Sequence, residues 1–206
     1  KDALQPTAHR DEVLQQLLAT TNLLAKGHAP LSVAEYLAGT SLVALARKDG
    51  GLRPVAVGET LRRLVAKCLC SQVSDAARDR LSPLQVGVAL PGGRKAAVHV
   101  PRQWFARHAG DRQKVFAKLD HSNAFNTLDR HALLQAVHED APSLAWWASW
   151  CYARPSLLWL GRHSLRSECR CQQGDPFRPL LSSLVSLAAR HRQRPPASPD
   201  ARRRPG

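Results

Sequence analysis

The apolar run Val115-Phe116-Ala117-Lys118-Leu119 ends in a single carboxylate, Asp120, and passes directly into the polar residues His121-Ser122-Asn123. A short run of this kind, bounded by turn-forming residues, reads as a buried strand that delivers one side chain at its end. Much later the chain makes a second polar turn, Gln172-Gln173-Gly174-Asp175-Pro176, with two amides and a glycine ahead of a helical pattern. A fold that satisfies both must bury a strand in one place and present a polar turn at the start of a helix in another.

The remaining periodicities fill in around these two points. Leu14, Leu17, Leu18, Leu23 and Leu24 recur at helical spacing and predict an amphipathic helix from Asp11 to Ala25. A short helix is expected over Val33 to Leu37, ending before Gly39. Ser41 to Leu45 and Leu52 to Val57 flank Lys48-Asp49-Gly50-Gly51, the pattern of an antiparallel hairpin with a glycine-containing turn. Gly58 to Arg80 reads as one long helix with Leu61, Leu64, Val65, Leu69, Val73 and Ala76 inward. Further helices are expected over Lys95 to His108, Asp129 to His138, Pro142 to Cys151 and Asp175 to Ala189. A second hairpin joins Leu157–Leu160 to Ser164–Ser167. Helices mixed with short antiparallel strands give an α+β architecture.

The net charge is +14 and the pI near 10.6. Lys and Arg are spread along the chain, so a polyanion such as nucleic acid is the expected partner. No apolar run approaches the roughly 20 residues of a spanning helix, and no signal peptide opens the sequence. The expectation is an intracellular protein, nuclear or cytoplasmic, neither secreted nor membrane-bound. Cys68-Leu69-Cys70 and Cys169-Arg170-Cys171 are spaced too closely for the usual structural zinc pairs, so the five cysteines are read as reduced thiols. The chain holds no methionine, the expectation for a piece of a longer product. From Arg190 the composition turns to Arg, Pro, Ala and Ser, which predicts a disordered basic tail over 190–206.

The two polar turns, in this order and at this spacing, resemble the first two palm motifs of reverse transcriptases, particularly those of non-LTR retrotransposons. The resemblance extends to Arg47 through Val57 and to Gly58-Glu59-Thr60-Leu61-Arg62-Arg63-Leu64, which look like the family's fingers. Gln85-Val86-Gly87, Pro91-Gly92-Gly93, Trp150-Cys151-Tyr152 and Pro155-Ser156-Leu157-Leu158 match connecting segments, so the likeness runs from about Leu42 to Leu184. It implies an incomplete right-hand polymerase fold: an N-terminal helical segment over 1–41, fingers and partial palm over 42–189, then the tail.

The implied chemistry is RNA-directed DNA synthesis. Its partners are an RNA template, a DNA primer and deoxynucleotides, and two magnesium ions do the catalytic work. Asp120 falls where the family supplies its first metal ligand and catalytic carboxylate, since hard cations take oxygen ligands from rigid elements. Phe125 matches an aromatic gate against a 2′-hydroxyl, Gln173 the glutamine that places the incoming nucleotide, and Gly174 the close approach of backbone beside it. Arg53 matches a triphosphate contact and Lys48 a second one; Arg62 and Arg63 are expected nucleic-acid contacts. The ordinary roles for the same residues are a turn cap for Asp120, a core ring for Phe125 and solvated charges for Lys48 and Arg53.

The sequence also departs from the family. Reverse transcriptases complete the metal site with an Asp-Asp motif on a later hairpin, and this chain has no Asp-Asp pair. Cys169-Arg170-Cys171 stands where relatives carry a glycine and a small apolar residue, and Arg178 replaces a usual glycine. One carboxylate cannot hold two magnesium ions against their mutual repulsion. The expectation is a reverse transcriptase fragment that does not polymerise by itself. Its rivals are a non-catalytic nucleic-acid-binding module, an inert retroelement relic, and a group II intron or telomerase-like polymerase.

Overall fold

A computed structural model describes residues 9–46, 48, 50–118, 128–172 and 174–193, with the side chains of Arg53 and Gln193 outside the description. Asp120, Phe125, Gln173 and 194–206, the greater part of the expected tail, lie outside the described residues.

The N-terminal leucine periodicity folds as α1, Arg10–Ala25, followed by α2, Leu31–Leu37. The glycine-centred hairpin forms as β1, Thr40–Ala46, and β2, Leu52–Gly58, antiparallel with Val43 opposite Val55 and Ser41 opposite Val57. The long helix expected after it is broken at Val73 into α3, Thr60–Gln72, and α4, Ser74–Leu81. Then come α5, Gly93–Arg107, and α6, Arg130–Asp140, whose Asp129 caps it by accepting from the Ala132 amide at 2.8 Å. A single 3-10 turn at Pro142–Leu144 leads into α7, Ala145–Tyr152. The second hairpin is β3, Ser156–Leu160, with β4, His163–Ser167, and the last helix is α8, Arg178–Gln193. Arg190 to Gln193 therefore continue the helix past the expected limit at Ala189.

The four strands form one sheet in the order β2-β1-β3-β4. The two hairpins meet through a short parallel pairing of β1 with β3, Thr40 opposite Leu158 and Ser41 opposite Trp159. The core gathers Val65, Ala66 and Leu69 of α3, Leu133 and Val137 of α6, Trp147 and Tyr152 of α7, and Leu181 and Leu184 of α8. Leu24 of α1 and Ala34 of α2 enter the same core, and Trp150 Nε1 donates to the Ala29 carbonyl at 3.0 Å. The result is a mixed α and β architecture.

One expectation fails here. Val115 to Lys118, the described part of the expected buried strand, pair with no strand; Val115 is 84% exposed. A lone extended segment leaves its backbone donors and acceptors unpaired and cannot be buried without neighbours. Phe116 packs instead against Trp104 and Phe105 at the end of α5.

Candidate functional site

Helix α3 buries Arg62, Val65, Ala66 and Leu69, a helical stripe in which the first position is a cation. Arg62 is 2% exposed, so its guanidinium must find its partners inside. It finds them on the glutamine–glycine turn. Nη2 meets Asp175 Oδ2 at 2.9 Å, while Nη1 donates to Gln172 Oε1 and to the Ala38 carbonyl at the end of α2. Asp175 is equally engaged: Oδ2 also accepts from the Tyr152 hydroxyl, and Oδ1 accepts from the Phe177 amide at 2.9 Å. Gln172 completes the set by donating Nε2 to the Ala38 carbonyl at 2.7 Å and to Ser156 Oγ at 3.3 Å.

This network ties α2, α3, α7, β3 and the turn before α8 through one buried ion pair. Burial alone pulls the pKa of Arg62 down, but Tyr152, Cys151 and Asp175 together outweigh it and raise it. Burial, reinforced by Asp175, holds Tyr152 neutral far above its ordinary range. Two guanidinium groups lie over the tyrosine ring, Arg62 at 5.1 Å and Arg130 at 5.5 Å from its centre. Arg130 in turn donates to the carbonyls of Arg170 and Arg154, each at 3.2 Å, and to Ser167 Oγ at 2.8 Å. It thereby holds the start of the turn against the second hairpin.

The turn is anchored on its other side by backbone. Gly174 N donates to the Ala56 carbonyl of β2 at 2.8 Å, and a Cβ at Gly174 would collide with that oxygen. Glycine is needed here for close approach. Arg170, three residues before the expected nucleotide-placing glutamine, has φ +77°, in the left-handed region that favours glycine, at the segment where the sequence departs from the family's pattern. Beside the turn lies a hollow of about 260 Å³, lined by Leu42, Pro54, Ala56, Leu158, Arg170 and Gln172. Leu42, Pro54, Ala56 and Leu158 share one face of the sheet by strand alternation.

The expected site residues are placed unequally. Gly174 is in contact with the first hairpin; Arg53 lies on β2 opposite Leu45, and Lys48 is exposed in the hairpin turn. Arg62 does not fit the expected nucleic-acid contact, because its terminal nitrogens are engaged in the interior; Arg63 is half-buried. Asp175, Gln172, Tyr152 and Arg130 were not anticipated as partners. A signal for the first pair existed: a charged residue on the inward stripe of α3 requires a buried counter-charge, and Asp175 sits in a turn otherwise made of amides.

Asp120, the expected magnesium ligand, lies outside the described residues. Both oxygens of Asp175 are taken by donors, and among the described residues no group of three His, Cys, Asp or Glu side chains could hold a metal ion. Among them, too, no helix is long and apolar enough to cross a membrane.

No family model matches the chain. It is similar to the retrotransposable element SLACS 132 kDa protein of Trypanosoma brucei gambiense, 26% identical over 202 residues. The match covers 93% of this chain and 16% of that protein, so the chain spans about one sixth of the relative's length. Along nearly its whole length, then, the chain is related to a retrotransposable-element protein.

Proposed function

We propose that this chain is the fingers and first palm segment of a reverse transcriptase-like domain of non-LTR type, a unit that shapes a nucleotide and template site. The observation that carries the reading is the union of two sequence-distant motifs. The Gly174 turn sits on strand β2 and is held there by the Arg62–Asp175 pair. A hollow opens between the first hairpin and that turn, lined by Leu42, Pro54, Ala56 and Leu158 and, toward the turn, by Arg166, Glu168 and Arg170. The apolar side chains suit the flat face of a base, and Arg166 and Arg170 suit a phosphate, with Glu168 the one acid in the lining. Relation to a retrotransposable-element protein and a net charge of +14 favour the same class of partner.

The chain by itself is catalytically incomplete in this reading, because it has no Asp-Asp motif to accompany Asp120. Primer extension on an oligo(dT)-primed poly(rA) template, with magnesium and deoxynucleotides, is expected to give no product. Photo-crosslinking of an azido-deoxynucleoside triphosphate is expected to label peptides from 40–58 and 170–178. Template-dependent incorporation that Asp120→Ala abolishes would contradict the incompleteness. Labelling confined to other peptides would contradict the site.

A further inference from the structure

Helix α5 stands apart from the polar network. Gly93 is its one buried residue, and the rest of the helix presents Val98, Val100 and Phe105 to solvent at 50%, 61% and 55% exposure. At its C-terminal end three rings gather: Trp104 to Phe105 at 5.3 Å between centroids, Trp104 to Phe116 at 5.4 Å, and Phe105 to Phe116 at 5.1 Å. His108 adds a fourth ring 4.9 Å from Trp104. The rings hold each other at tilted and edge-on angles, so the cluster is organised without core packing.

Cations dominate α5 and the segment that follows it. Arg94, Lys95, Arg102, Arg107, Arg112 and Lys118 are all exposed. The sole acid between Gly93 and Lys118 is Asp111, which Lys114 already approaches at 3.6 Å. Phe105 and Phe116 are exposed and Trp104 is half-buried, and such rings on a segment rich in exposed cations match one ligand chemistry: unpaired bases that stack on rings while their phosphates meet Lys and Arg. Duplex offers no free base faces along its length, and an acidic peptide would leave the rings without flat partners.

We propose that the Trp104–Phe105–Phe116 cluster, with the cations of α5 and of the segment to Lys118, is a stacking site for single-stranded nucleic acid. It is separate from the hollow beside the Gly174 turn and does not depend on the polymerase reading. The rings grip bases without regard to sequence, since every base has a π face, and the cations supply the salt-sensitive part of affinity.

The test uses the full chain and a fluorescent oligo(U) strand, with the same strand annealed to its complement as control. Trp104→Ala/Phe105→Ala is expected to weaken single-strand binding about tenfold or more, with duplex affinity and melting temperature unchanged. Trp104→Tyr/Phe105→Tyr, which keeps the rings, is expected to restore most of it. A readout free of substitution is crosslinking of 4-thiouridine-substituted oligo(U) to the unaltered chain, with adducts expected between Arg102 and Lys118. Equal affinity of the parent and the alanine variant for the single strand overturns the proposal, as do adducts confined to 190–206 or to the β1–β2 hairpin. An alanine variant that alters sedimentation of the chain, and not oligo(U) binding, overturns it in favour of a protein contact.

Discussion

Helices α5 and α8 carry apolar residues at similar density, yet their fates differ. Helix α8 and the turn before it bury Phe177, Leu180, Leu181, Leu184 and Leu187, each at 5% exposure or less. Of α5 only Gly93 is buried. The difference lies in what stands opposite. Helix α8 faces α6 and α4 and is fixed at its head by Asp175, whereas the described segment after α5 forms no strand to receive it. Amphipathic periodicity therefore specifies a helix, while burial of its stripe depends on a partner surface supplied elsewhere in the sequence.

The widest gap between the two helices is expected in core truncation. Leu181→Ala, at a fully buried position, should cost about 2–5 kcal/mol in denaturant unfolding. Val100→Ala on α5, 61% exposed, should stay within about 0.5 kcal/mol. Comparable losses at both sites would mean that α5 is packed in solution, and the contrast would be void.

Alkaline pH separates the regions next. Burial pushes the thiols of Cys151 and Cys171 up to about 12 from an ordinary 9.0. The unfolded chain ionises them first, so their contribution is intact below pH 9 and is lost as pH rises from 9 toward 12. The slope is about 1.4 kcal/mol per pH unit for each thiol. Tyr152, held neutral by the same surroundings, acts in the same direction above its ordinary 10.0. Circular dichroism melts between pH 8 and 11, on the order of the range these groups span, should show the midpoint falling with pH. Hydrogen exchange at moderate pH should find α5 exchanging well before α8. A flat midpoint across that range would show that the thiols are open to solvent.

The order of elements was readable from the sequence because periodicity and punctuation agreed. Gly50 and Gly51 marked the turn of the first hairpin, and the N-terminal leucines marked α1. The break at Val73 was not readable, since its apolar spacing continues across the joint of α3 and α4. Val115 to Lys118 misled for the opposite reason: β-type composition describes a strand only where another strand pairs with it. At the site, Gly174 was expected to let the backbone approach a nucleotide, whereas the close approach in the structure is to the Ala56 carbonyl. The Arg62–Asp175 pair was passed over, despite the place of Arg62 on the buried stripe of α3, because a basic residue near a helix start in a chain of charge +14 reads as one more surface cation.

A smaller effect belongs to the turn itself. Arg170 occupies a left-handed conformation at φ +77°, where an L side chain is disfavoured by roughly 1–2 kcal/mol. Arg170→Gly should raise stability by about 0.5–1 kcal/mol after the added freedom of the unfolded chain is offset. A loss of stability would mean that the arginine side chain holds the turn by contacts that outweigh its backbone cost.

The central claim is that one buried ion pair joins α3 to the glutamine–glycine turn, and a double-mutant cycle on Arg62 and Asp175 tests it most directly. Arg62→Met and Asp175→Leu each leave one buried charge without its partner and should cost about 3–5 kcal/mol, measured by urea unfolding. The double variant removes both charges and should recover at least about 2 kcal/mol relative to the sum of the single losses. Single effects that simply add, with no recovery in the double variant, would show that the two residues do not form the joint between α3 and the turn.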